Sequence, residues 1–257
     1  MSVEENELDA SEDFEEPLED SEDALVIAED WSPERYQSLL PTERPLKIFF
    51  YIFIAIALVV VVNSIRAIVW ANTLGSTPPV AAREQAQAIG MLVLITAVLS
   101  TLANIGSGIV FLTWFKKLYT NNIAFQPEEP PFTKGWAIGM WFTPVVNLWR
   151  PLQMIKWVAE GSGVWTKAMI SMVGWWWGFW IARMVMSGII TVFFSHPTTI
   201  SDYIDQKYLT ILAAVIDITA LKLCINVVRE FTTAQEQLLL DATAGLPQAP
   251  IGEAEVA

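Results

Sequence analysis

Residues 135–151 read GWAIGMWFTPVVNLWRP, and they decide how many times this chain crosses a membrane. Their first 15 residues carry no charge, but a full helical span needs about 20 apolar residues. Pro144 and Pro151 interrupt the run, and proline removes a backbone donor and disfavours helix at the preceding residue. The stretch therefore predicts a short helix from Trp136, a break near Thr143, and a return to the side from which the chain entered.

This broken segment covers about residues 135–160, because an amphipathic pattern typical of an interfacial helix follows Pro151. Two arrangements remain open. The segment is either a re-entrant loop, whose irregular backbone must be buried in protein or line water, or an interfacial elbow anchored by tryptophans. Its motif residues are Trp141, Pro144, Asn147, Arg150 and Pro151.

Four other segments are long and apolar enough to cross a bilayer. They cover about residues 47–69, 88–115, 168–194 and 208–230. Lipid offers backbone groups no other hydrogen-bond partners, and the segments lack the alternation of barrel strands, so helices are expected. The predicted fold class is an all-α membrane protein, a four-transmembrane-helix bundle with a short broken helix between spans 2 and 3. A mean hydropathy of +0.42 agrees with this class.

Basic residues predict the orientation of the chain, because cytoplasmic loops of membrane proteins carry excess Lys and Arg. With four crossings, only Arg83 and Lys207 flank one side. The other side has Arg35, Arg44, Lys47, Lys116, Lys117, Lys134, Arg150, Lys156, Lys167 and Arg229. A crossing by the broken segment would reduce this bias, so both termini are predicted to be cytoplasmic.

The first 30 residues hold 14 of the 28 acidic residues and no Lys or Arg. Residues 1–30 are therefore predicted to form a disordered acidic cytoplasmic leader, because like charges repel and little apolar surface is available to bury. A docking arm for a basic partner is the alternative. The rest of the chain is nearly neutral, which gives no basic surface for nucleic acid.

The leader precedes a predicted interfacial helix over residues 31–45, which Ser32 and Pro33 would start and Pro41 would end. A transmembrane domain over 46–232 and a flexible C-terminal tail over 233–257 complete the predicted organisation.

Charged residues within spans cost about 2.5–3.5 kcal/mol each, so Arg183 and Asp217 require partners. They lie at similar distances before and after the turn near Ser201, so an antiparallel hairpin places them at one depth. We predict that they pair and fix helix register, with a proton or ion relay as the alternative. A polar stripe on spans 1 and 2 is formed by Asn63, Arg66, Ser100 and Asn104.

Small residues recur every fourth position in span 3, at Gly174, Gly178 and Ala182. Such a face permits close helix approach. Packing within the chain is the expected use, and contact between two copies in a homo-oligomer is the alternative.

Four stretches of the chain are rich in aromatic residues or end in polar runs, and they read GWAIGMWFTPVVNLWRPLQMIKWV (135–158), FLTWFKKLYTNNIAF (111–125), WWWGFWIARM (175–184) and VVREFTTAQEQ (227–237). They resemble the bacterial membrane family known as domain of unknown function 4328. The resemblance covers about residues 46–240. It departs from the family at Ile123-Ala124-Phe125, where a Leu-Gly pair is common, and in the acidic leader. It implies a multi-span bacterial membrane protein and no particular activity.

Sequence motifs for metalloprotease, P-loop or nucleophile-elbow chemistry do not occur in the chain. The sole histidine, His196, has no second ligand at metal-binding spacing. The single cysteine, Cys224, is expected to pack as a small apolar residue. We therefore expect no enzymatic activity, no catalytic residue, no metal and no cofactor.

Two functions are compatible with these features. The first is a membrane-embedded interaction or regulatory module, whose acidic leader or cytoplasmic loop meets a protein partner. The alternative is a unit for small-solute or ion permeation that uses the broken segment and the level of Arg183 and Asp217. The expected partners are the lipid bilayer, a protein bound by the leader or loop, and a second copy of the chain, but not nucleic acid.

Overall fold

The computed structural model describes residues 36–74, 79–125, 129–194 and 196–244. Those residues form six α-helices and no strand. The helices are α1 (Leu40–Thr73), α2 (Pro79–Phe125), α3 (Lys134–Gly139), α4 (Arg150–Gly161), α5 (Lys167–Phe193) and α6 (Ile200–Ala244). The 3-10 turns Met140–Phe142 and Val146–Leu148 lie between α3 and α4. The predicted leader lies outside the described residues.

Four of these helices, α1, α2, α5 and α6, are long and apolar enough to cross a membrane. The shortest of them, α5, has 27 residues, whereas about 20 residues cross the hydrocarbon core. Each of these four helices corresponds to one of the predicted spans. The prediction of an all-α protein with four membrane-spanning helices is therefore confirmed.

The four long helices pack in a row, in the order α2, α1, α6 and α5. Extensive contact joins α1 with α2, α1 with α6, and α5 with α6. The two outer helices converge at the end of the bundle that also holds residues 36–39, α3 and α4, which we call the proximal end. The buried residues of α5 are Met169, Val173, Trp176 and Trp177, all in its first half. In its second half, α5 buries no residue against α2, so the row of four helices does not close into a ring there.

The largest buried side chains lie at the proximal end. Trp114, Phe115 and Tyr119 of α2 pack there with Val158 of α4 and Phe231 of α6 in one core cluster. Outward-facing residues of the long helices are instead apolar and exposed, as in a protein whose surface meets lipid. The proximal end is thus the packed core of the molecule, and the rest of the row is held mainly by neighbouring helix pairs.

The predicted boundaries at both ends of the transmembrane domain are wrong for the described residues. Pro41 does not end an interfacial helix but lies in the first turn of α1, where its missing N–H costs no hydrogen bond. Residues 31–35 of that predicted helix lie outside the described part. The predicted flexible tail is helical as far as Ala244, and Gln235 within it is buried in the proximal core.

Candidate functional site

All four long helices line an open cleft of about 270 Å³ near the middle of the row. Phe53 comes from α1, Ser100 and Asn104 from α2, Arg183 from α5, and Asp217 from α6. Ala213 and Ala214 precede Asp217 by one helical turn, and their short side chains leave space in front of the carboxylate. The cleft therefore combines an apolar wall with charged and polar groups in a region of the chain long enough to span a bilayer.

The structure brings Arg183 and Asp217 together in this cleft. Nε of Arg183 lies 2.6 Å from Oδ1 of Asp217, and the side chains are 32% and 21% exposed. The guanidinium also lies over the ring of Phe53, with Cζ 5.8 Å from the ring centroid. The two side chains reach the same level because α5 and α6 pack antiparallel and both residues lie at similar distances from the connection between the helices.

The predicted polar stripe divides into three parts. Ser100 and Asn104 line the cleft. Asn63 is buried outside the cleft lining, and its Oδ1 has no hydrogen-bond partner among the described residues. Arg66 is exposed on α1. Only the α2 half of the stripe therefore belongs to the candidate site.

In the broken segment, helical conformation ends before Thr143 and Pro144. Thr143 is extended, with φ −88° and ψ 112°. Val145 has φ 71°, and no other non-glycine residue in the described ranges has a positive φ. A β-branched residue in this conformation is strained. Pro151 occupies the first turn of α4, so the two prolines bracket the turn between α3 and α4.

Aromatic contacts hold the broken segment against α2 and α5. The ring of Trp141 meets those of Phe111 and Phe115 edge-on, with centroids 5.2 Å and 5.5 Å apart. Nε1 of Trp177 donates to the carbonyl oxygen of Leu148 at 3.0 Å. These contacts fix the segment at the proximal end of the protein, and its depth in a bilayer stays a prediction.

The other motif residues of this segment have separate roles. Pro144 is exposed, and Asn147 is half-buried with an Oδ1 that has no partner within the described ranges. Arg150 donates from Nη1 to Oε1 of Gln153 at 3.1 Å, and its guanidinium lies over the ring of Phe132, 5.4 Å from the centroid. None of the three reaches the cleft around Arg183.

The small-residue face of α5 does not pack as expected. A Cβ added to Gly174 or Gly178 would have nothing within 4 Å, and Ala182 is only half-buried. The prediction of packing within the chain is therefore wrong for these glycines, because α5 contacts α6 through another face. The glycine that does permit close approach is Gly106 of α2, where an added Cβ would lie 2.5 Å from Cε1 of Phe49.

Sequence reasoning missed a buried polar network at the proximal end. Nε2 of Gln235 donates to the carbonyl oxygen of Leu118 and to Oγ of Ser162, both at 3.1 Å. Its Oε1 accepts from Nδ2 of Asn121 at 3.2 Å. Asn121 also exchanges two hydrogen bonds with the backbone of Gln37, at 3.0 Å and 2.9 Å. Gln235 lies in a polar stretch, FTTAQEQ (231–237), so the sequence did not distinguish its buried amide from an exposed one.

Glu236 connects the end of α6 to the start of α1. Its Oε1 accepts from the backbone N–H of Leu39 at 2.7 Å and from Oγ of Ser38 at 2.8 Å. Burial, with the negative charge of Glu236, raises the pKa of Tyr36. A carboxylate at a helix N-terminus is stabilised by the helix dipole. This contact therefore holds Ser38 and Leu39 against α6 at the start of α1.

Fold and site together define a multi-pass helical membrane protein with a packed proximal core and a polar cleft between its spans. The family model described as domain of unknown function 4328 matches residues 77–233. The chain belongs to that family, as its tryptophan-rich motifs indicated. Neither the curated proteins nor the solved structures include a match to this chain.

Proposed function

We propose that this protein is a membrane-embedded interaction or regulatory module of a bacterial plasma membrane. Both termini and the broken segment would face the cytoplasm, where the acidic residues 1–30 would meet a basic surface of a protein partner. The excess of basic residues on one side of the four helices supports this orientation.

The observation that carries this proposal is the attachment of residues 37–39 to the proximal core. Asn121 of α2 binds the backbone of Gln37, and Glu236 of α6 binds Ser38 and Leu39. Residues 37–39, which follow the leader in the chain, are thus hydrogen-bonded to two of the long helices. A partner that binds the leader could shift those helices if it binds one of their arrangements more tightly.

Deleting residues 1–30 from the full chain tests the proposal. Proteins cross-linked to the chain in native membranes are purified through a C-terminal tag and compared with those of the intact chain. A matched control keeps the leader length but replaces its 14 acidic residues with Asn and Gln. We expect both variants to lose the same partner, because charge provides the recognition. An unchanged set of partners for both variants would refute the docking role.

The cleft favours a second candidate function, permeation of a small solute or ion. Spans rarely contain charged residues unless they face a bundle interior or a water-filled cavity, and Arg183 and Asp217 line such a space. Flux into proteoliposomes that disappears with Asp217→Asn would support this function. Absence of flux for every tested solute would exclude it and leave the first proposal unaffected.

A further inference from the structure

We propose that the cleft binds a small zwitterion, a molecule whose carboxylate and ammonium groups are bonded to the same carbon atom. The inference rests on the second candidate function, for which it names the class of ligand. Three properties of the cleft carry it: unused hydrogen-bonding groups, charge balance, and size.

The ion pair leaves most of its hydrogen-bonding capacity unused. A guanidinium has five N–H donors, yet the closest contact of Arg183 with Asp217 engages only Nε. In the part of the chain that the structure describes, Oδ1 of Asp217 is buried and has no hydrogen-bond partner of good geometry, although Nε of Arg183 lies 2.6 Å from it. Both side chains are partly exposed, at 32% and 21%. A ligand entering the cleft can therefore reach donors and an acceptor that lie side by side.

Charge balance favours a ligand that carries one positive and one negative charge. Arg183 and Asp217 together are neutral, so an added anion or cation would leave an unbalanced charge among apolar helices. A zwitterion adds no net charge. Its carboxylate would accept from the Nη atoms of Arg183 and its ammonium would donate to Oδ2 of Asp217, and charge-assisted hydrogen bonds of this kind are the strong ones.

The size and walls of the cleft suit a small ligand. Its volume is about 270 Å³. It lies just below the range of about 300–1,000 Å³ typical of small-molecule sites. Phe53, Ala57 and Ala213 provide an apolar wall, while Ser100 and Asn104 add polar groups opposite the ion pair. These walls suit an amino-acid-like molecule with a small apolar side group.

Equilibrium binding to the full-length protein in phosphatidylcholine nanodiscs tests the inference with three probes. L-alanine has both charged groups, propionate lacks the ammonium, and ethylamine lacks the carboxylate. We expect propionate and ethylamine to bind about 10–100-fold more weakly than L-alanine, because each loses the charge-assisted hydrogen bonds of one group. Propionate or ethylamine binding as tightly as L-alanine would overturn the assignment, and so would no binding of L-alanine.

Variants locate the binding. Ala213→Leu fills the cleft without touching the charges, and the double variant Arg183→Gln/Asp217→Asn removes both charges together. Both should abolish L-alanine binding. Glu160→Gln, which alters the exposed pair with Lys156 on α4, is the matched control and should bind normally. Thermal unfolding shows whether each variant is folded. If the double variant does not fold, the result for Ala213→Leu decides the test. Binding that survives Ala213→Leu would overturn the proposal.

Binding is measured at equilibrium, so this experiment is separate from the flux assay. L-alanine binding without flux would exclude permeation and keep the binding site. Flux of an ion without L-alanine binding would exclude the zwitterion and keep permeation.

Discussion

Replacing Gln235 by methionine should destabilise the protein by about 1.5–4.5 kcal/mol, because three buried hydrogen bonds each contribute about 0.5–1.5 kcal/mol. Gln235 is fully buried, and its amide bonds Asn121 at 3.2 Å and both Leu118 and Ser162 at 3.1 Å. Methionine matches the length of the side chain, so the variant isolates the loss of hydrogen bonds from the loss of packing.

The matched control is Gln237→Met, two residues further along α6. Gln237 is exposed and donates to Asp241 at 2.8 Å, so a change within about 0.5 kcal/mol is expected. Unfolding of the purified full-length protein in detergent, titrated with sodium dodecyl sulfate, can be followed by tryptophan fluorescence. Equal free energies of unfolding for the two variants would refute the view that the network holds the proximal end together.

Two further substitutions test the helix contacts. Gly106→Ala should destabilise the protein by about 1–3 kcal/mol relative to Gly108→Ala. The added Cβ at Gly106 would lie 2.5 Å from the ring of Phe49, whereas a Cβ at Gly108 meets open space. Equal unfolding midpoints for the two variants would contradict this close approach. Arg183→Asp or Asp217→Arg alone should reduce accumulation in membranes, since each exchange places two like charges next to each other within the spans. The double exchange should restore it, measured by quantitative immunoblotting, and lack of rescue would argue against direct pairing.

Local sequence signals predicted the elements well where a single physical requirement dominates. A run such as residues 48–65 must be helical in lipid because no other structure satisfies its backbone. Thr143 leaves the helix because Pro144 follows it. The pairing of Arg183 with Asp217 followed from their spacing around one turn, since antiparallel helices convert sequence distance into depth.

Signals failed where one residue type serves two structural purposes. Pro41 was expected to end a helix, yet the same fixed φ suits the first turn of one, and Pro41 lies in the first turn of α1. Gly174 and Gly178 have the spacing of a packing face, but Gly106 is the glycine that meets another helix closely. Spacing shows that helices can approach one another and does not show which face does so.

The sequence by itself determined the class of protein, the four spans, and the interruption near Thr143, because the solvent and the backbone impose those features on any chain of this composition. The tertiary structure decided which helices are neighbours, and hence the cleft and the buried network of Gln37, Asn121, Ser162 and Gln235. Those groups are distant in sequence, and only the packing of the helices in a row brings them within hydrogen-bonding distance.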